Sequence, residues 1–489
     1  MTVTADLERD NMSYIKGKDR YQKTFLPPVI DDYISKDSEV RIIDAFVNNL
    51  KNIKFQYSDY SKIGNQPYDP LDMLKLYIYC YLKSIRSSRK MEKECRINLD
   101  LIWLINGLTP DDRTICDFRK NNKEQLYQVL KEFTTVCKKA ELFSNELIAV
   151  DGSKFKASNS KNRIYTKKQI KEKMERIDKH IEEYLNETEN NDKQEMKIKK
   201  ISGEKVQEII DNLNTKKEYY KELLNEMEEK DETQISLTDK DCKLMKKRNG
   251  EVNPCFNVQL SADSKHNMII DFETANSVND QNELYKAALK AKETLETEKI
   301  NVLADSGYMC RGEFEKCIEN NINPIVNMPK TENGYGTYSK DEFEYNKEDD
   351  VYICPAQRKL YYLKQKTKIK GKNKLKYRIY ADKDKCSGCK YKDKCFKNKN
   401  GYRTIERWEK ETEIIDKMKT EEAKEMLKRR QGIIEPIFGI LKYDFGFTGF
   451  LTRGFDSVKA EFSLMSLTYN FRRAVNILGF DKLMQMLTA

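Results

Sequence analysis

Apolar residues recur at helical spacing in the first third of the chain. Leu71, Leu74, Ile78, Tyr81 and Leu82 fall on one face of a helix, and a shorter pattern predicts another over Glu39 to Asn49. Ser87 and Ser88 can cap the next helix, and Asn98 opens Leu99 to Asn106 before Gly107 stops it. Thr109 is the expected N-cap of the following helix, with Pro110 at its first position and Asp111 and Asp112 in its first turn, where the positive end of the helix favours acids. A longer helix is expected over Lys123 to Lys139. Short helices with tight turns make a compact bundle. Such a bundle suits DNA binding through a helix-turn-helix, and it suits packing or dimerisation equally well.

The texture then changes to strands. Leu147 to Val150 is an apolar run ending at Asp151-Gly152, and residues 254–261 and 267–274 predict a hairpin joined by Ala262 to His266. A helix over Asn282 to Glu298 leads to a second run, Ile300 to Ala304, which ends at Asp305-Ser306-Gly307. A helix over Arg311 to Glu319 and a strand over Pro324 to Asn327 complete the order strand, hairpin, helix, strand, helix, strand. Between Asp151 and the hairpin, Ile170, Met174, Ile177, Ile181 and Tyr184 step by four and three. Val206, Ile210 and Leu213, and then Tyr220, Leu224 and Met227, do the same after a polar break at Asn186 to Lys193. Two helices folding back as an antiparallel coiled-coil hairpin satisfy that pattern. A protein contact, a spacer and a merely solvated hairpin all fit it.

Composition narrows the classes. The 489 residues are 38% hydrophobic and include 28 Tyr and 20 Phe, enough for real cores and too apolar for a disordered chain. No apolar run reaches the ~18 residues of a membrane span, and Met1 to Asp10 has no signal-like apolar core, so a cytosolic protein with no membrane partner is expected. His180 and His266 are the only histidines, which leaves carboxylates or thiolates to carry any chemistry. Lys and Arg exceed Asp and Glu by 10, and residues 351–400 alone hold 17 basic against 3 acidic residues, with Tyr361, Tyr362, Tyr377 and Tyr380 among them. That suits a polyanion, although a Lys-rich solvated loop fits the same count. Residues 166–232 run slightly acidic, with 15 basic and 19 acidic residues.

Of the 12 cysteines, eight sit in amphipathic or apolar surroundings as small hydrophobes. Cys386-Ser-Gly-Cys389, with Cys395 downstream and Cys354 upstream, has the spacing of a structural zinc site, and the neighbouring lysines would favour thiolates. Unliganded thiols are the other reading; a disulfide does not suit a cytosolic chain. Among the acids, Asp151 and Asp305 end separate apolar strands, each beside a small turn. Glu435 lies among Ile433, Ile434, Ile437 and Phe438, where burying it requires a positive partner. Divalent cations supply such a partner, and a pair ~4 Å apart clamps the attacking and leaving oxygens of phosphoryl transfer.

These residues together resemble the DDE transposases of bacterial insertion sequences, specifically the group numbered eleven eighty-two. Val150-Asp151-Gly152-Ser153-Lys154 is similar to the first-aspartate motif, Ala304-Asp305-Ser306-Gly307-Tyr308 to the second, and Glu435-Pro436-Ile437-Phe438-Gly439 with Lys442 to the Glu-x6-Lys signature. Tyr68-Asp69-Pro70 through Arg119 resembles the N-terminal helical domain, and Asn257-Val258-Gln259 and Asn279-Asp280-Gln281 resemble parts of the core. The cysteine set resembles the family's cysteine cluster. The resemblance implies an α/β fold: an RNase H-like mixed sheet flanked by helices, with an N-terminal helical domain, the coiled-coil hairpin insert and a basic, zinc-bearing, β-rich insert. We accordingly expect a helical DNA-binding or dimerisation domain over 1–141 and the first core strand over 142–165. The hairpin insert would follow over 166–240, the continued core over 241–330, the basic insert over 331–410 and the C-terminal core helices over 411–489. It further implies Asp151, Asp305 and Glu435 as catalytic residues holding two Mg²⁺ or Mn²⁺, and a structural Zn²⁺ on Cys354, Cys386, Cys389 and Cys395. Relatives often carry Arg four residues before the Glu; Gln431 stands there, so the phosphate contact shifts to Arg430, beside Lys442. Arg429, Lys154, Arg89 and Arg119 are further DNA-binding candidates. The implied activity cuts the element's ends and joins the 3′-OH to target DNA, with double-stranded DNA (terminal inverted repeats and target) as partner and a homodimer on that DNA. A domesticated nuclease without strand transfer and a non-catalytic DNA-binding regulator are the alternatives.

Overall fold

The computed structural model describes residues 29–56, 67–191, 203–247, 249–328, 337–370, 373–383, 386, 388–397 and 401–488. Six helices come first: α1 (Glu39–Asn48), α2 (Pro70–Leu82), α3 (Ser88–Ile97), α4 (Leu99–Leu104), α5 (Asp112–Asn121) and α6 (Lys123–Lys139). Asp69 caps α2 by accepting from Leu71 N, with Pro70 at the first helical position, and Asn98 caps α4 as expected. The cap of α5 is Asp111 and not Thr109: its carboxylate accepts from Thr114 N at 2.7 Å, so the helix starts two residues later than the Thr-Pro signal suggests.

Strand β1 (Leu147–Lys156) is longer than its apolar run. It pairs in parallel with β7 (Ile300–Ala304) only from Leu147 to Ala149, yet antiparallel with β5 (Val252–Asp263) from Ile148 to Lys156. With β4 (Lys243–Lys246), β6 (Ile269–Ala275) and β8 (Ile322–Val326) the sheet runs β4-β5-β1-β7-β8, with β6 also on β5. Strand β8 is parallel to β7 and β6 antiparallel to β5. This mixed sheet flanked by helices fits the RNase H-like expectation. Short strands β2 (Ile164–Thr166) and β3 (Gln234–Ser236) pair at the base of two helices, α7 (Lys167–Asn191) and α8 (Gly203–Glu229). Ile170, Leu223, Met227 and Ile235 form a small core there. Helix α7 continues through Asn186 to Asn191, past the expected start of the polar break; Asp192 and Lys193 lie outside the described residues.

Helix α9 (Leu284–Leu295) covers the sheet before β7, and α10 (Arg311–Glu319) leads into β8. A second, antiparallel sheet follows in the order β13-β12-β11-β10-β9: β9 (Glu344–Asn346), β10 (Val351–Ile353), β11 (Lys359–Lys370), β12 (Asn373–Ala381) and β13 (Thr404–Trp408). Phe343, Tyr352, Leu360, Tyr380 and Ile405 form its core. The chain then returns to the first sheet through α11 (Glu411–Met418), α12 (Glu421–Gly439), a π-helical turn (Ile440–Asp444) and α13 (Phe455–Leu478). Every residue from Ala460 to Phe471 is buried: α13 is the spine between sheet and bundle, stacking Phe471 on Phe133 of α6 and setting Phe462 edge to face against Phe272 of β6. No helix among the described residues is long and apolar enough to cross a membrane.

Candidate active site

The register of the sheet sets two of the acids level. Ala149 is the last residue of β1 paired with β7, opposite Leu303; two residues further along each strand stand Asp151 and Asp305. Neighbouring strands run about 4.8 Å apart. Asp151 is buried in the continuing strand, where its Oδ1 accepts from Gly152 N at 2.9 Å. Asp305 caps the short turn after β7, accepting from Gly307 N at 2.8 Å. Burial pushes the Asp151 carboxyl up to about 6; Arg430 opposes the shift, while Asp305 and Asp280 reinforce it by like-charge repulsion.

Glu435 arrives from α12, which lays Ile433, Ile434 and Ile437 into the core and leaves the glutamate half-exposed between them. Pro436 has no N–H, so the Gly432 carbonyl loses its helical partner; Asn267, from the β5–β6 turn, donates to that carbonyl at 2.9 Å. The helix is thereby tied to the sheet one turn before the glutamate. Arg430, on the same helix, places Nη1 3.6 Å from Asp151 and Nη2 3.9 Å from Glu435. Its Nη1 is buried without a hydrogen-bond acceptor among the described residues. One guanidinium thus lies between the first and third acids.

The π-helical turn presents Lys442 to β1. Its Nζ donates to Ser153 Oγ at 2.6 Å and to the Lys154 carbonyl at 3.3 Å, and stacks 4.6 Å over the Phe155 ring. Lys154 itself turns to the Lys246 carbonyl at 2.7 Å, and Arg429 is exposed. Arg89 is exposed on α3 beside Asp112, 3.2 Å away. Arg119 is directed inward, against the Tyr77 ring and toward Tyr81 and Glu461.

Asp280 was not among the sequence candidates, yet it belongs to this group. Its Oδ1 accepts from Asn257 Nδ2 at 2.7 Å and from Gln259 Nε2 at 2.6 Å, directly over Gly152. The signal available in the sequence was the family resemblance of Asn257-Val258-Gln259 and Asn279-Asp280-Gln281, which by itself gives Asp280 no place in the site.

Far along the chain, Cys354, Cys386, Cys389 and Cys395 line one small cavity of about 30 Å³ with Phe343 and Leu360. Burial pushes the Cys395 thiol up to about 11 against the pull of Arg403, and burial also raises Cys386. Among the described residues no three His, Cys, Asp or Glu side chains stand in a metal-holding constellation as placed.

Residues 353–475 match the family described as "Transposase DDE domain", and residues 28–121 match "Transposase domain (DUF772)". The first match contains Glu435 and the second the helices α1 to α5; Asp151 and Asp305 lie between the two. No curated protein matches the chain. A cryo-EM structure of a piggyBac transposase synaptic complex with hairpin DNA is similar at 7% identity and a TM-score of 0.32, over 92% of this chain and 75% of that one. The two family matches define the class, transposases with a DDE domain. The two matched segments carry a transposase DDE domain and a second transposase domain, consistent with a DDE transposase of the insertion-sequence type. A DDE domain implies use of a divalent metal, typically Mg²⁺ or Mn²⁺.

Proposed function

We propose that this transposase belongs to the insertion-sequence group numbered eleven eighty-two, that it binds the terminal inverted repeats of its own element, and that Asp151, Asp305 and Glu435 are its catalytic triad. The observation that carries the reading is the register that sets Asp151 level with Asp305, with Arg430 joining Asp151 to Glu435. The donor set suits hard divalent cations: all oxygen, with a buried carboxyl whose ionisation needs a positive neighbour. Two Mg²⁺ held by these acids would supply a nucleophile activated at neutral pH and a clamp on the attacking and leaving oxygens.

The chain's own residues do the rest. Asp151 would hold its carboxylate from within strand β1 and Asp305 from the turn it caps after β7, and α12, tied to the sheet through Asn267, would bring Glu435 to them. Arg430 has an N–H to offer a phosphate oxygen, and Lys442 holds its charge against Ser153, where a phosphate of the cut strand would lie. The same site would cut the element's end with water and then join the freed 3′-OH to target DNA, since in-line displacement changes only its nucleophile. Residues 1–141 and the basic insert 331–410 would bind the ends, within a homodimer in the cytosol. A structural Zn²⁺ on the four clustered thiols would brace that insert.

The test is cleavage and strand joining on DNA carrying the flanking inverted repeats with Mg²⁺. The reading expects both activities from the wild type and neither from Asp151→Asn. Undiminished nicking by Asp151→Asn removes that residue from the chemistry.

A further inference from the structure

Gln259 lies on β5 across from Gly152 on β1, and its side chain is wholly buried. A buried amide without partners costs about 1–3 kcal/mol, so what it touches explains why it is there. Its Nε2 donates to Asp280 Oδ1 at 2.6 Å, and its Oε1 accepts from the Tyr308 hydroxyl. The amide can point only one way, because a carboxylate accepts and never donates. Tyr308 is also buried; burial, and then the nearby carboxylates, raise its hydroxyl well above the ordinary tyrosine range, which keeps the proton on the donor.

Each end of this chain of bonds reaches one of the two aspartates. Tyr308 closes the short turn that Asp305 caps. Asp280, clamped by Gln259 and by Asn257, sits where a Cβ on Gly152 would come within 2.6 Å, against the residue that follows Asp151. The parallel ladder stops at Ala149 and Leu303, short of both acids, so side chains and not the backbone ladder cross between them.

We infer that Gln259 is a positioning residue that sets the separation of the Asp151 and Asp305 carboxylates, acting through Tyr308 on one side and through Asp280 and Gly152 on the other. This rests on the proposal that those two aspartates are catalytic. Misplacing a reacting group by about 1 Å can cost about 10²-fold in rate, which sets the scale of the effect.

Exchanging donor and acceptor tests the inference in the full-length protein. Gln259→Glu sets a second carboxylate against Asp280. Combining it with Asp280→Asn restores a donor facing an acceptor at unchanged net charge; the new carboxylate still accepts from Tyr308, and Asn257, whose Nδ2 donates to the same Asp280 oxygen, turns its amide to accept and gives up its bond to the Ser277 carbonyl. The readouts are end cleavage against Mg²⁺ concentration and thermal unfolding. Gln259→Glu alone should cleave about 10²-fold more slowly and need more Mg²⁺, and the paired variant should recover to within about tenfold of wild type. Tyr308→Phe, which removes one hydrogen bond and no volume, should raise the half-saturating Mg²⁺ while still folding, and it decides the matter if Gln259→Glu fails to fold. Wild-type Mg²⁺ dependence in Gln259→Glu and Tyr308→Phe overturns the inference. So does a paired variant no better than Gln259→Glu, which would give the role to the charge of Asp280. Asp151→Asn run alongside separates the two failures: if it is inactive while Gln259→Glu is normal, the clamp alone falls; if it cleaves normally, the catalytic reading falls and the inference with it.

Discussion

Asp151 and Asp305 stand level on adjacent parallel strands, each two residues beyond the last pair that joins those strands, Ala149 and Leu303. Both therefore stand at the C-terminal edge of the parallel part of the sheet, where ligands of open α/β sheets gather. Strand β1 continues past this point on β5, so Asp151 has rigid strand backbone on both sides. Asp305 does not: its strand ends one residue earlier, and its own side chain holds the turn.

Gly152 has no room for a side chain. A Cβ there would lie 2.5 Å from Gln259 Nε2 and 2.6 Å from Asp280 Oδ1, so Gly152→Ala must push the clamp or the strand aside. We predict about a 10²-fold loss of end cleavage with a stability cost of about 1–3 kcal/mol, read from cleavage rates and urea unfolding. Wild-type cleavage by Gly152→Ala would show that the contact yields freely.

The buried carboxyl of Asp151 gives stability a pH dependence of definite sign. Its pKa is raised from 3.8 when exposed to about 6 when folded, so the folded state holds the proton more tightly and ionisation works against folding. The penalty is absent below about 3.8, grows between there and about 6, and is complete above. In metal-free protein Asp151→Asn should gain on the wild type between about pH 4 and pH 7, by an amount on the order of 3 kcal/mol. A difference that does not change with pH contradicts a carboxyl whose burial outweighs the pull of Arg430.

How far the sequence could be read follows from what each residue depends on. The runs Leu147 to Val150 and Ile300 to Ala304 are apolar because strands flank them on both sides there, and that is visible in composition. Residues 151–155 of β1 pair on one edge only, with Ser153 and Lys154 half-exposed and Phe155 buried, so no apolar run betrays the strand. Asp280 and Gln259 are brought to Gly152 by the register of β5 on β1, which periodicity does not encode. Arg119 read as a surface cation on a helix, but Tyr77, Tyr81 and Glu461, from the preceding helices and from the far end of the chain, enclose it.

Glu461 is fully buried on α13 and accepts from Leu451 N, Thr452 N and Thr452 Oγ1 at 3.0, 3.0 and 2.8 Å, with Arg86 at 3.3 Å. It joins the bundle to the loop that follows the Lys442 turn. Glu461→Ala leaves Arg86 uncompensated and should cost about 3–5 kcal/mol by denaturant unfolding, with a smaller loss for Glu461→Gln, whose carbonyl still accepts. A loss under about 1 kcal/mol in Glu461→Ala would show that the loop is held by something else.

For the cysteines, protein purified without chelator should carry about one zinc per chain. Cys389→Ser should lower that content and loosen the antiparallel sheet, read as faster proteolysis between residues 337 and 410. Zinc near zero in the wild type would leave four half-buried, unliganded thiols lining the cavity.

The proposed convergence of the three acids can be tested without any DNA. Fe²⁺ in place of Mg²⁺, with ascorbate and peroxide, cuts the peptide backbone beside the residues that hold it. Cuts near Asp151, Asp305 and Glu435 together, all suppressed by excess Mg²⁺, are the predicted result; cuts at one or two of these segments, or cuts that Mg²⁺ does not suppress, would contradict a shared site.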